Sequence, residues 1–191
     1  QGLGREYYGY HNINHELEVT YVTLLAINQN KIQLSDEDIK HLYIAALFHD
    51  FDPQKEVDKP HEESVLKYIS MDKNLIQMID SANVDLEIIK ILILRTVYPW
   101  SGKIKEDAEK QIKICFQNSD VTKNNQEYQQ HIMEMGEYLS VVDRIGGYAL
   151  GDFTKSMEKA KMNAHALAWR PSVIVKRAVA FFEELLNNET V

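Results

Sequence analysis

The sequence predicts an all-α fold, and three observations carry that expectation. Apolar residues recur at helical spacing along nearly the whole chain. Only 4 prolines and 8 glycines punctuate 191 residues, which favours long helices over a turn-rich β architecture. Strands are poorly supported anywhere.

The elements follow in order. Ile13, Leu17, Tyr21 and Leu24 mark a first helix. Ser35-Asp36-Glu37-Asp38 reads as the start of a second, with an acidic first turn. Its apolar face, Ile39, Leu42, Tyr43, Ala46 and Leu47, runs directly into His49-Asp50. Phe51 to Lys59 is polar, holds Pro53 and reads as a loop. Pro60 suits the first turn of a third helix carrying His61 and Glu62-Glu63. A short helix is expected over Leu75 to Ile79. Asp85 is placed to cap the next, in which Ile88 to Leu94 is apolar almost all round, the mark of a central, buried helix. Pro99 ends it, and Trp100-Ser101-Gly102 reads as a loop. Further helices are expected at about 104–119, 125–150, 152–168 and 171–188, with Gly146-Gly147 kinking or splitting the second of these. The last, with Val173, Phe181, Phe182 and Leu185, suits packing either within the chain or against a partner, so the oligomeric state stays open.

Length and composition fit one domain over residues 1–191, with 45% apolar and 26% charged residues. The net charge is −8, from 21 basic and 29 acidic residues, and no basic stripe is present. A nucleic-acid polymer is therefore a poor partner. A small anionic ligand fits where cations are concentrated locally, for example by a metal. The single cysteine, Cys115, permits no intrachain disulfide. Its flanks Ile112, Ile114 and Phe116 predict a buried thiol rather than a nucleophile. No apolar run reaches membrane-spanning length, no leader is visible, and a cytoplasmic location is the expectation. Because the chain opens on Gln1 rather than Met, a piece of a longer protein is expected.

Two local signals point to chemistry. His11 and His15 stand four apart, on one face of a helix. His49-Asp50 ends a strongly apolar helix. Neighbouring helical positions point about 100° apart, so both reach one ion only where the backbone ends or bends. An ionised Asp at a helix C-terminus also opposes the helix dipole, and a divalent cation would compensate. Taken alone, the first signal fits exposed helix histidines better, and the second a capping His followed by a loop Asp. Together, His15, His49 and Asp50 supply three mixed ligands of the kind a transition-metal site uses. A fourth acid must come from later in the chain, with Asp120 and Asp143 the candidates.

The run Tyr10 to Val19 (YHNINHELEV) resembles the Y-H-N-x-x-H-x-x-x-V segment of the HD superfamily, in the form found in class I cyclic-nucleotide phosphodiesterases and their bacterial relatives. Ala45 to Pro53 (AALFHDFDP) is similar to that group's apolar helix ending in H-D-x-D, and His61 to Leu66 (HEESVL) to the segment that follows it. Ile93-Leu94-Arg95-Thr96 resembles its I-L-A-T helix, and Ile112 to Asn124 the helix ending in A-D-L-S-N. Asp143-Arg144-Ile145 to Gly151-Asp152 is a fainter echo of a later helix. The matches keep the family's order over roughly residues 10–152, with 153–191 as additional C-terminal helices.

The resemblance implies an HD-type, phosphodiesterase-like helical bundle. It implies metal ligands at His15, His49, Asp50 and Asp120, with Asp143 the rival for the fourth place. One or two divalent ions would be held, among Mn, Fe, Mg, Co, Ni or Zn. Asp50 would bridge a second metal and count with His11 among the catalytic residues, His11 standing where the family places the proton donor. His61 would serve the second metal or its surroundings. Arg95 is a candidate contact to a substrate phosphate. The implied reaction is hydrolysis of a phosphoester in a small, nucleotide-like substrate. A divalent cation would lower the pKa of a water from about 15.7 towards roughly 7 and offset phosphoryl charge.

Three positions depart from the cyclic-nucleotide enzymes. Pro53 replaces a His, Val97 replaces an acid after Thr96, and Leu150 stands where a purine-reading Gln precedes Gly151-Asp152. They weigh against cyclic-nucleotide specificity. A non-enzymatic regulatory module retaining the metal is the alternative, and a di-iron oxygenase a more distant one. His41, His131 and His165 read as structural or surface residues.

Overall fold

The computed structural model describes residues 12–30, 33–51, 62–149, 153–166 and 170–173, with isolated positions from 176 to 187. Among these residues all regular structure is helical. The elements are α1 (Ile13–Asn30), α2 (Asp36–Phe48), α3 (Glu62–Met71), α4 (Lys73–Ser81), α5 (Leu86–Leu94), α6 (Gly102–Asn118), α7 (Gln126–Ala149) and α8 (Phe153–Ala166), then a 3-10 turn at Pro171–Val173.

The apolar run that predicts a central helix is α5. Ile88, Ile89, Ile91, Leu92, Ile93 and Leu94 are all buried, and α2, α3, α4, α6 and α7 pack around them. Asp85 caps α5 by accepting the Glu87 amide at 2.8 Å. The same residue ties three elements together. Its own amide donates to His41 Nε2 of α2 at 3.1 Å, and its carboxylate accepts the Ser119 hydroxyl, just past α6, at 2.6 Å. His41 is thus structural, as the sequence suggests.

At the start of α2, Ser35 and Asp38 form a reciprocal capping box. The Asp38 carboxylate also accepts from Tyr128 Oη at 3.1 Å and lies 3.2 Å from His131 Nε2, both on α7. A local helix-start signal therefore doubles as a tertiary clamp. Burial pushes the Asp38 carboxyl up, but hydrogen bonds from Ser35, His131 and Tyr128 hold it below its ordinary value of 3.8. A folded value below the unfolded one means full stabilisation above about pH 4, lost as pH falls through the folded value. Asp38→Ala is expected to cost about 1–3 kcal/mol at pH 7, and the gap to the parent chain should close in acid. Urea denaturation across a pH series reads both.

Several boundaries shift for local reasons. The helix expected over Leu75 to Ile79 is α4, which starts earlier because Asp72 caps it, accepting the Leu75 amide at 2.9 Å. α6 begins at Gly102, whose φ of +56° suits a residue without Cβ. Gly146-Gly147 neither splits nor ends α7, which is helical through Ala149. Gly146 instead serves packing: a Cβ there would lie 3.1 Å from Val22 Cγ1 of α1. Residues 52–61, which take in most of the expected loop Phe51 to Lys59 and the expected helix start at Pro60, fall outside the described residues, as do Phe181, Phe182 and Leu185.

Cys115 is buried. Burial first, then the nearby Glu87 carboxylate, pushes its thiol up to about 12. The native chain is expected not to react with Ellman's reagent at pH 8, while the urea-unfolded chain should release one equivalent of thiolate product. No helix is long and apolar enough to cross a membrane among the described residues.

Candidate metal centre

Three helices bring His15, His49, Asp50 and Asp143 to one point. Asn12 is buried at the entry to α1 and accepts the Asn14 amide on its side chain at 2.9 Å. This starts α1 so that His15 lies in its first turn, facing inward. α2 ends at Phe48, and His49 follows as its C-cap with helical φ of −56°. The Phe51 amide then returns to the Phe48 carbonyl at 3.0 Å. The backbone turn there swings Asp50 towards the side on which His49 points. Asp143 comes from α7, the helix that packs on both α1 and α2.

The donor atoms lie within 4.8 Å of one another. His15 Nε2 is 3.0 Å from Asp143 Oδ1 and 3.4 Å from Asp50 Oδ2. His49 Nε2 is 3.3 Å and 3.5 Å from the same two oxygens. The two imidazole centres are 5.3 Å apart, edge to face. Both histidines are buried, whereas the Asp50 and Asp143 side chains keep 16% and 19% exposure, so the cluster opens on its carboxylate side.

The chemistry of the donor set fits a cation. His49 Nδ1 lies 2.7 Å from the Ala46 carbonyl, which only accepts, so Nδ1 carries the hydrogen. In a neutral ring, Nε2 is then a lone pair aimed at two carboxylates, and it makes no hydrogen bond although it is buried. Lone pairs facing carboxylates repel unless a proton or a metal ion lies between them. An imidazole oriented through its second nitrogen is also the usual arrangement of a metal-ligating histidine. Burial lowers the pKa of His49, but Asp50 and Asp143 outweigh it and raise the group to about 10. His15 is raised likewise, against burial, by Asp143 and Asp50. Burial raises Asp143, yet His49 and His15 hold it well below the carboxylate range. The site thus favours a positive charge at its centre.

Of the sequence-predicted ligands, His15, His49 and Asp50 come together. Asp120 does not join them. It sits in the turn after α6 with 92% of its side chain exposed, paired with Lys123 at 2.5 Å. The fourth position goes to the rival, Asp143. The physical reason is packing: α6 lies against α5, whereas α7 reaches both α1 and α2. Arg95 is buried at the C-cap of α5, with Cζ 4.1 Å over the Trp100 ring. His11 and His61 lie outside the described residues, as do Pro53 and Leu150.

Sequence reasoning missed Glu16. It is 1% exposed, and neither carboxylate oxygen has a hydrogen-bond partner. Burial is the main cause of its pKa rising to about 7, opposed by His49 and His15 and reinforced by Asp50. A signal existed in the inward position that adjoins His15, but Glu16 follows a charged pattern that reads as solvated.

Among the described residues the fold is all-helical, and it contains a two-histidine, two-aspartate cluster, its histidines buried, that could hold a metal ion. No protein-family model, no curated protein and no solved structure matches the chain.

Proposed function

We propose that the chain is a metal-dependent phosphohydrolase of the HD type, acting on a phosphoester of a small, nucleotide-like molecule. The observation that carries this reading is the convergence of His15, His49, Asp50 and Asp143 from three helices into a buried cluster with one open side. Mixed imidazole and carboxylate donors with room for further ligands characterise catalytic rather than closed structural metal sites. A divalent cation held by these four residues would supply Lewis acidity towards a phosphoryl oxygen and a lowered pKa for the attacking water.

The chain's own groups set the geometry for that chemistry. The Ala46 carbonyl fixes the His49 ring so that Nε2 faces the cluster. The carboxylate side of the cluster is where water and substrate enter. His11, four residues before His15, is proposed to protonate the departing oxygen, the role the resemblance implies. Chain loaded in turn with Mn²⁺, Mg²⁺, Co²⁺ or Fe²⁺ is expected to hydrolyse bis(p-nitrophenyl) phosphate or a member of a nucleotide panel, and EDTA should abolish this. A folded, metal-loaded chain inert towards both would overturn the reading. Pro53, which replaces a family His, favours a second reading, a regulatory module that binds a nucleotide without turnover. That module would show ligand-dependent stabilisation alone.

A further inference from the structure

Beside the metal cluster, α7 presents a second set of buried polar groups. Gly136, Ser140 and Arg144 lie four apart along one helix, and Asp143 stands one turn from Ser140. Gly136 abuts Arg95 so closely that an added Cβ would lie 2.7 Å from Arg95 Cβ and 2.8 Å from its Cγ. The absence of a side chain at 136 thus lays the Arg95 stem against α7.

The guanidinium of Arg95 is poorly matched for a group only 6% exposed. Its closest acidic contact, Glu137, is 3.7 Å away, beyond hydrogen-bond reach, and belongs to a half-exposed side chain. Its Nη1 is buried with no hydrogen-bond partner. The Ser140 hydroxyl is wholly buried and likewise has none. Arg144, also buried, holds its Cζ 5.0 Å over the Tyr98 ring. Burial lowers the pKa of both guanidiniums, and Arg144 feels the charges of Asp143 and Arg95. Arg144 directly follows Asp143 on α7, so the second arginine adjoins the metal cluster along the chain.

Buried donors without acceptors are costly, and native structures rarely leave them so. A guanidinium and a hydroxyl share one need, an acceptor, and a second guanidinium beside them makes a negative one favourable. A tetrahedral oxyanion supplies several acceptor oxygens and matches the planar fork of arginine. Aromatic rings over both guanidiniums hold their planes in place.

We propose that Arg95, Ser140 and Arg144 form an oxyanion site next to the metal cluster, which takes a phosphate group of the substrate other than the one cleaved. Oxyanion binding stands on these residues alone; only the assignment to a substrate rests on the phosphohydrolase reading. Ser140 and Arg144 flank Asp143 on α7, so a substrate carrying a second phosphate near the cleaved one fits the arrangement.

Calorimetric titration of EDTA-treated chain with inorganic phosphate tests the site without the metal. Wild-type chain should bind phosphate, and Arg95→Gln should weaken binding at least about tenfold. Ser140→Ala, which removes one oxygen and leaves the core filled, should weaken it several-fold and guards against a misfolded Arg95 variant. Mn²⁺ affinity should be retained in both variants. No phosphate binding by wild-type chain, binding only when Mn²⁺ is present, or equal binding by wild type and Ser140→Ala would each overturn the proposal. In Mn²⁺-loaded chain, Ser140→Ala should raise KM for a nucleoside bisphosphate more than for bis(p-nitrophenyl) phosphate; equal changes would overturn the assignment to substrate. Absent turnover with intact phosphate binding would sink the phosphohydrolase reading and leave the oxyanion site standing.

Discussion

Asp143→Asn is expected to lower metal affinity and hydrolysis by on the order of a hundredfold or more, while Asp120→Asn changes neither. The contrast follows from placement. Asp143 Oδ1 lies 3.0 Å and 3.3 Å from the two histidine nitrogens, and removing its charge takes away one of only two carboxylates in the cluster. Even residues that merely orient metal ligands typically contribute 10- to 100-fold, roughly the floor for a ligand itself. Asp120 is exposed and paired with a surface lysine, a contact that solvent screens. Metal content after dialysis, Mn²⁺ titration and the rate on bis(p-nitrophenyl) phosphate give three independent readouts. Loss of metal from Asp120→Asn with retention in Asp143→Asn would reverse the assignment of the fourth ligand.

Leu92→Ala is expected to destabilise the chain by about 3 kcal/mol, within the usual range for a large-to-small change in a packed core. For a chain of this length that lowers Tm by roughly 6–12 °C. Leu92 is fully buried in α5, and its Cδ2 would lie 3.7 Å from a Cβ built at Gly136 of α7. The lost methyls thus leave a cavity at the junction of the central helix and the helix that carries Asp143. The change should loosen the His15, His49, Asp50 and Asp143 cluster as well as the core, so Mn²⁺ affinity is expected to fall with stability. Met78→Ala, at a side chain 69% exposed on α4, serves as the control and should stay within about 0.5 kcal/mol. Thermal and urea melts of both variants, with and without Mn²⁺, check the pair.

The first helix shows where periodicity succeeds and where it misleads. Ile13, Leu17 and Tyr21 repeat at helical spacing, and α1 forms where they predict it. Yet these three are exposed, at 38%, 53% and 62%. The face turned inward carries His15, Glu16, Val19, Thr20, Val22 and Thr23. A rule that places apolar residues inside selects the wrong face when the inside is a polar site. Thr20 and Thr23 settle their hydroxyls on the carbonyls of Glu16 and Val19, at 2.7 and 2.8 Å, which makes that polar face tolerable.

Local chemistry was legible from the residues alone: the helical class, the capping signals at Ser35 and Asp85, the burial of Ile88 to Leu94, and the backbone turn that lets His49 and Asp50 face one point. These depend on neighbours within a turn or two, and such neighbours are read directly from the sequence. The partner of His15 and His49 is a different kind of fact. Asp143 stands 93 residues after Asp50 and Asp120 only 70, and nothing local to either acid separates them. The choice falls to whichever helix lies across α1 and α2; that helix is α7, which Gly146 lets approach Val22 of α1 and Gly136 lets approach Arg95 at the end of α5. Close approach of backbones, set by residues without side chains, is a property of the packed molecule. It decided the fourth member of the cluster and brought the Arg95 stem against α7.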